Sequence, residues 1–140
     1  MLITSLQIEN DLVRRFSLLG NNAEMMMVYI IELGKSMPMF PEHMKCAENL
    51  VRGCHSKVWL TTTVERNRIF FLGDSNTAIT RGLVSILIKV LNGKGIQEVS
   101  ESNLSFLYNT GLEKFLGTKR SNGLVTIHQR MREDAASYGG

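Results

Sequence analysis

The sequence predicts an α+β fold, a small antiparallel β-sheet packed against several helices. Two patterns carry that expectation. Val58 to Val64 alternates, with Val58, Leu60, Thr62 and Val64 on one face and Trp59, Thr61 and Thr63 on the other, and β-branched and aromatic residues dominate the run. On both sides of it, apolar residues instead return every three or four positions, the period of helices that bury one face.

The first helix is expected over Leu6 to Leu19, with Leu12, Val13, Phe16 and Leu19 on one side. Gly20-Asn21-Asn22 interrupts it, and Asn22 is placed to cap a second helix from Ala23 to Leu33 that stops at Gly34. Its Met25-Met26-Met27 run is read as adaptable core filler. Lys35 to Ala47 holds both prolines, Pro38 and Pro41, and is expected to be a loop packed across the domain. After the alternating strand, Glu65-Arg66-Asn67 forms a polar turn into Arg68-Ile69-Phe70-Phe71-Leu72, which closes a hairpin. Gly73-Asp74-Ser75-Asn76 is read as ending that strand and capping a helix that runs to about Leu91. Ile79, Leu83, Ile86, Leu87 and Val90 make its buried stripe, and Gly82 admits a close neighbour. Asn92-Gly93-Lys94-Gly95 stops it. Short helical pieces follow at Ile96–Ser100, Leu104–Tyr108 and Leu112–Leu116, and a last helix starts near Ser121-Asn122-Gly123 and carries Leu124, Ile127 and Met131.

The 140 residues suit one domain, 1–140, large enough to bury a core without disulfides or metal. Hydrophobic residues make up 44% and charged residues 21%, which excludes intrinsic disorder. A net charge of +3 is too small to argue for nucleic acid. No stretch reaches the ~18 apolar residues of a membrane span, so no membrane partner is expected. Met1-Leu2-Ile3-Thr4-Ser5 lacks the basic and apolar regions of a signal peptide, and the reading is a cytoplasmic chain or a mature organellar one. Two cysteines, Cys46 and Cys54, suit a reducing compartment as thiols. The sequence admits a weak homodimer without requiring one.

Gly53-Cys54-His55-Ser56 stands just before the first strand, where an irregular segment can present a thiol. Gly53 frees the backbone, and Arg52, His55 and Lys57 make the surroundings electropositive, which favours thiolate. Three chemistries compete for this thiol, beside the plain role of a small buried hydrophobe. His43, Cys46, Cys54 and His55 offer four nitrogen and sulfur ligands for zinc, although no C-x-x-C pair is present. A thiol hydrolase would use Cys54 as nucleophile, His55 or His128 as base and Asp74 as orienter, with His128 equally at home on a helix surface. Cys46 and Cys54, eight positions apart, would form a redox pair.

Three blocks in register resemble the SufE/CsdE family of sulfur acceptors: Val51-x-Gly53-Cys54-x-Ser56-x-Val58-Trp59, then Gly73-Asp74-Ser75-x-x-Ala78-Ile79-x-x-Gly82-Leu83, then Arg120-Ser121-x-Gly123-Leu124. The Tyr29-Ile30-Ile31-Glu32-Leu33-Gly34 helix and the Met-Pro loop after it also fit, so the resemblance runs roughly from Phe16 to Met131. It implies a SufE-like α+β fold and a relay of sulfur. A pyridoxal-phosphate cysteine desulfurase would hold sulfur as a persulfide, and Cys54 would accept it, stimulate that enzyme and pass the sulfur to an iron–sulfur scaffold or another acceptor. Such a chain carries no cofactor of its own, because the pyridoxal phosphate belongs to the desulfurase. It is then a carrier and activator rather than an enzyme; the alternative is a stand-alone thiol enzyme using Cys54 with a histidine base.

The resemblance also marks Gly53, Ser56, Asp74 and Arg120 as supporting residues. From the residues alone, Asp74 reads equally as a helix N-cap, Ser56 as a partner of the loop backbone, Arg120 as a surface arginine before a helix cap and Trp59 as core. Glu48-Asn49 is expected to hold the loop's conformation. Cys46 lies outside the family pattern, His55 and Lys57 fill variable positions, and Lys119 stands where a serine is more familiar. A transferred sulfur must be sheltered yet reachable. The Leu50–Lys57 loop is therefore expected to rest with Cys54 tucked against apolar surface and to swing out about Gly53. Burial would raise the thiol's pKa at rest, and Arg52, Lys57 and Arg120 would lower it once exposed.

Overall fold

The computed structural model describes residues 5–20 and 22–139; the Met1–Thr4 segment read as lacking a signal, Asn21 and Gly140 lie outside them. Helices α1 (Ser5–Leu19) and α2 (Ala23–Lys35) come first. A loop with two short 3-10 turns, Glu42–Met44 and Ala47–Asn49, leads to strands β1 (Val58–Glu65) and β2 (Arg68–Ser75). Helices α3 (Ala78–Leu91), α4 (Ile96–Ser100), α5 (Ser105–Asn109) and α6 (Leu112–Gly139) complete the chain. The α+β expectation holds: the two strands form one antiparallel sheet with helices packed on it.

Asn22 caps α2 as expected, its Oδ1 accepting from the Met25 N–H at 3.0 Å. The methionine run does not all enter the core. Met26 is buried, Met27 is half-buried and Met25 is exposed, because a helix turns ~100° per residue and cannot aim three successive side chains inward. Phe40, between the prolines, is buried.

The hairpin turns on Arg66 (φ 53°) and Asn67 (φ 63°), both left-handed, the conformation of a two-residue turn whose twist matches the strands. This fixes a register that pairs Glu65 with Arg68 and Val58 with Ser75. Val58, Leu60, Ile69 and Phe71 are buried on the inner face. Trp59, read as core, is on the other face and half-buried, with the Lys45 ammonium 5.3 Å from its ring centre. A second correction concerns β2, which runs on through Gly73-Asp74-Ser75 instead of ending there. Thr77 holds the N-cap position of α3 without a side-chain cap bond, so Asp74 is not the cap. Its carboxylate is engaged elsewhere, and pairing with Trp59 keeps the backbone extended.

Helix α3 is buried on most of its circumference, well beyond the stripe expected: Val84, Ser85 and Leu91 join Leu83, Ile86, Leu87 and Val90. It packs on the sheet where Gly73 leaves room for Val84 Cγ1, and against α2 where Gly34 faces Gly82. A Cβ on Gly82 would collide with the backbone carbonyl of Ile30, and one on Gly34 would come within 2.8 Å of the Gly82 nitrogen. Ser85 Oγ spans the same seam, donating to the Leu33 carbonyl at 2.9 Å.

The expected piece at Leu112–Leu116 and the last helix form one element, α6, broken at Gly117 (φ 76°, ψ 176°). The second limb begins before Ser121, so Arg120 lies within its first turns rather than ahead of a cap. Leu124, Ile127, Met131 and Ala135 bury one stripe of it. Among the described residues no helix is long and apolar enough to cross a membrane.

Gly82→Ala tests the α2–α3 seam. Its methyl group meets backbone that cannot give way without moving α2, so a loss of about 2 kcal/mol or more is expected as a lower urea midpoint. An unchanged midpoint would mean the helices separate at little cost.

Candidate functional site

The Cys54 segment is a short excursion closed at its base. The Val51 N–H donates to the Val58 carbonyl at 2.8 Å, and Leu50 pairs with Trp59 as an isolated bridge. Between these points Gly53 adopts φ +93°, a conformation that other residues rarely take. Its turn brings Cys54 to the mouth of a cavity of about 380 Å³. Ile79 and Leu83 from α3 and Leu124 and Ile127 from α6 give the cavity an apolar wall. His55, Lys119 and Arg120 stand at its rim, exposed.

Cys54 is half-buried there, with Sγ 3.9 Å from the Gly123 carbonyl. Burial pushes its thiol up from the ordinary range. At rest, desolvation therefore outweighs the electropositive neighbours that the sequence suggested would favour thiolate. Arg52 and Lys57 point into solvent, where their charges are screened.

Ser56 is tied to side chains rather than to the loop backbone. Its Oγ lies 2.9 Å from Thr77 Oγ1 and accepts from Thr80 Oγ1 at 3.2 Å, so three hydroxyls line the cavity side by side. Asp74 is not among the lining side chains. Arg81 Nε donates to its Oδ1 at 2.7 Å and Lys45 Nζ reaches its Oδ2 at 3.2 Å. Burial works to raise the Asp74 pKa, but Arg81, the Ser75 N–H and Lys45 together hold it below the usual carboxylate value. Asp74 thus ties the Lys45 loop to β2 and α3, and it is not placed to orient a base.

The competing chemistries meet specific obstacles. His128 is buried, not on the helix surface, and its Nε2 is 2.9 Å from Ser102 Oγ. Ser102 spends its own hydrogen on the Val99 carbonyl at 2.7 Å, so His128 Nε2 is the donor of that pair. Burial, then Arg132 and Lys94, lower the His128 pKa to about 4, and the ring is not among those lining the Cys54 cavity. Cys46 Sγ is exposed and accepts from Asn49 Nδ2 at 3.6 Å, in surroundings separate from those of Cys54. Among the described residues no group of three or more His, Cys, Asp or Glu side chains is placed to hold a metal ion, and His43, Cys46, Cys54 and His55 are not gathered into one.

Sequence reasoning missed the three-hydroxyl cluster of Ser56, Thr77 and Thr80, and it missed Arg130. That arginine, half-buried on α6, donates from Nη1 to the Leu50 carbonyl at 3.2 Å and from Nη2 to the Glu48 carbonyl at 3.1 Å. Asn49, named for the Cys54 loop's conformation, donates instead to the Met44 carbonyl at 2.8 Å and so ties together the two 3-10 turns that precede that loop. Nothing in the sequence separates Arg130 from other helix-surface cations.

Over residues 10–135 the chain matches the family described as SufE, an Fe-S metabolism associated domain. It is 38% identical over 112 residues to an uncharacterised SufE-like protein of Rhizobium meliloti (strain 1021), covering 76% of this chain and 80% of that one. It is 37% identical over 102 residues to the sulfur acceptor protein CsdE of Escherichia coli (strain K12), covering 71% and 69% respectively. A solution structure of a hypothetical protein from Thermus thermophilus shares the fold at 18% identity, with a TM-score of 0.76 over 93% of this chain and 94% of that one.

Two outcomes follow from these environments. In the isolated protein, iodoacetamide at pH 8 should label exposed Cys46 before half-buried Cys54, as read by peptide mass mapping; equal rates would remove the sheltered thiol. His128, neutral when folded, should make stability complete above its unfolded pKa of 6.5 and lose it as pH falls toward about 4. The full loss is of order 3 kcal/mol at 1.36 kcal/mol per pKa unit, and His128→Gln, which keeps a donor toward Ser102, should flatten the curve. Identical acid profiles for the two proteins would show that His128 protonates without penalty.

Proposed function

Because this chain belongs to the SufE family, we propose that it takes sulfane sulfur from the persulfide of a pyridoxal-phosphate-dependent cysteine desulfurase onto Cys54, stimulates that enzyme and relays the sulfur to iron–sulfur cluster assembly. The observation that carries this reading is the placement of Cys54 on a short stapled loop, at the mouth of an apolar cavity, with a left-handed glycine beside it. The sulfur acceptor CsdE, 37% identical over 102 residues, supports the same role.

The transfer is a thiol–disulfide-type exchange. The Cys54 thiolate attacks the outer sulfur of the donor's persulfide. That sulfur–sulfur bond breaks, the donor cysteine leaves as thiolate, and a new sulfur–sulfur bond forms on Cys54. Cys54 gives up its proton before attack, and the departing donor thiolate takes one up, so charge balances over the cycle. No base within the chain is needed, which agrees with Cys54 Sγ meeting a carbonyl rather than an imidazole. A raised resting pKa lowers the thiolate fraction of Cys54; leaving the cavity would relieve that desolvation, and Arg52, Lys57 and Arg120 would favour the anion where they come close to it. Cys54 is then the accepting atom, Gly53 the hinge and Ser56 the anchor of the loop to α3 through Thr77 and Thr80. The partners are the desulfurase, which brings its own pyridoxal phosphate, and a scaffold or other acceptor downstream.

Incubation with a cognate desulfurase, pyridoxal phosphate and L-cysteine should add one or more sulfur atoms to Cys54 by mass spectrometry. Cys54→Ser should abolish both the added mass and the stimulation, whereas Cys46→Ser should retain both near wild-type levels. Full stimulation by Cys54→Ser would replace the relay with allosteric activation, and equal losses in both variants would restore a role for Cys46.

A further inference from the structure

The Cys54 segment has two shoulders, and different parts of the fold hold them. On the C-terminal side the Lys57 N–H donates to Asn76 Oδ1 at 2.9 Å, and its carbonyl accepts from Ser75 Oγ at 2.8 Å and the Asn76 N–H at 3.1 Å. The N-terminal side is held from 80 residues away, by the fork of Arg130 across the carbonyls of Leu50 and Glu48. Arg130 is itself oriented: its Nε donates to Asp134 Oδ1 at 3.0 Å, and Asp134 Oδ2 accepts from Thr62 Oγ1 of β1 at 2.8 Å. A planar, permanently charged guanidinium spans two carbonyls and a carboxylate in a way that an ammonium cannot.

Gly123, Ile127, Arg130 and Asp134 are spaced four, three and four residues apart, which places them along one face of α6. That face therefore supplies the carbonyl that meets Cys54 Sγ, a wall of its cavity and the clamp on the loop's shoulder. The distance from clamp to carbonyl is set within a single helix. With Leu50 clamped by Arg130, Val51 tied to Val58 and Lys57 tied to Asn76, the segment left without such ties is Arg52–Ser56 minus the Ser56 hydroxyl. This is shorter than the Leu50–Lys57 loop expected from the sequence.

We infer that Arg130 is a positioning residue for Cys54: by fixing the Glu48–Leu50 shoulder to α6, it restricts movement to Arg52–Ser56 and keeps the thiol, and any sulfur it carries, seated at the cavity. The part concerning carried sulfur rests on the acceptor role proposed above. Losing the clamp leaves the thiol intact but lets the whole loop stray, so Cys54 becomes more reactive at rest and its persulfide shorter-lived.

The experiment uses the full chain with Arg130→Met, which keeps the aliphatic stem, and Arg130→Lys, which keeps one point charge. Iodoacetamide labelling of Cys54, with Cys46 in the same sample as reference, should accelerate about tenfold in Arg130→Met, equivalent to ~1.4 kcal/mol, while Cys46 is unchanged. Arg130→Lys should fall between the two. Desulfurase-loaded persulfide on Arg130→Met should decay correspondingly faster in a small thiol such as glutathione. Leu12→Ala controls for general loosening, because it truncates a buried side chain of α1, and no α1 residue lines the Cys54 cavity. A similar acceleration in Leu12→Ala at matched stability, or wild-type labelling in Arg130→Met, would overturn the inference. Absence of sulfur on wild-type Cys54 would overturn the acceptor role instead, and the labelling arm would still decide whether Arg130 seats the thiol.

Discussion

A two-stranded hairpin buries only one face and is marginal alone in water, so this sheet exists because a helix covers it. That helix is α3, and it in turn is buried on most sides, by the sheet at Gly73 and by α2 at Gly82. Both contacts depend on the absence of a side chain. At Gly82 the Ile30 carbonyl occupies the place of a Cβ, and at Gly73 the Val84 side chain does. Close packing at these points gains dispersion contacts over the buried Ile30, Leu83, Val84 and Leu87, each a side chain whose burial is worth roughly 1.5–3 kcal/mol. The Cys54 loop inherits its position from this arrangement, since it enters β1 directly and leans on α3 through the Ser56, Thr77 and Thr80 hydroxyls.

The site is assembled by two helical walls meeting over one short strap. Helix α3 contributes Ile79 and Leu83, and α6 contributes Gly123, Leu124 and Ile127. The break at Gly117 makes this possible, because it lets the second limb of α6 lie along the domain with Arg120 at the cavity rim. Apolar walls shelter the Cys54 sulfur and raise the thiol's pKa, whereas the rim is cationic and open. In the proposed relay, storage and transfer belong to two positions of the same short segment, with different surroundings for the same atom.

Two polar groups withdrawn from solvent tie elements of the scaffold together. Asp74 joins the Lys45 loop, β2 and α3 through two cations, and its lowered pKa is the signature of that anchoring. His128 joins α6 to the segment after α4 through Ser102, and its depressed pKa reports desolvation in the core. Each resembles an active-site residue when met in sequence, as an acid in a shared block or as a histidine on a helix. Geometry engages both in contacts between elements, and neither lines the Cys54 cavity.

The α+β class, the hairpin and the main helices were legible in the sequence because each rests on a local pattern: period two in Val58–Val64, period three to four in α1 and α3, and a glycine or asparagine at several boundaries. Cys54 stood out as a candidate because the Gly53-Cys54-x-Ser56 run belongs to the block that resembles the SufE family; its neighbours alone left several chemistries open. What the tertiary structure alone decided involves partners distant along the chain. Trp59 lies outside the core because α3, against β2, and α6, against β1, cover the other face of the sheet, and β2 extends through Ser75 because pairing with β1 outcompetes a cap at Asp74. Arg130 reaches Leu50 across 80 residues, and Cys54 meets Gly123 across 69. Local periodicity encodes which face of an element is apolar, but not which other element will cover it or which of many surface cations will find a carbonyl to hold.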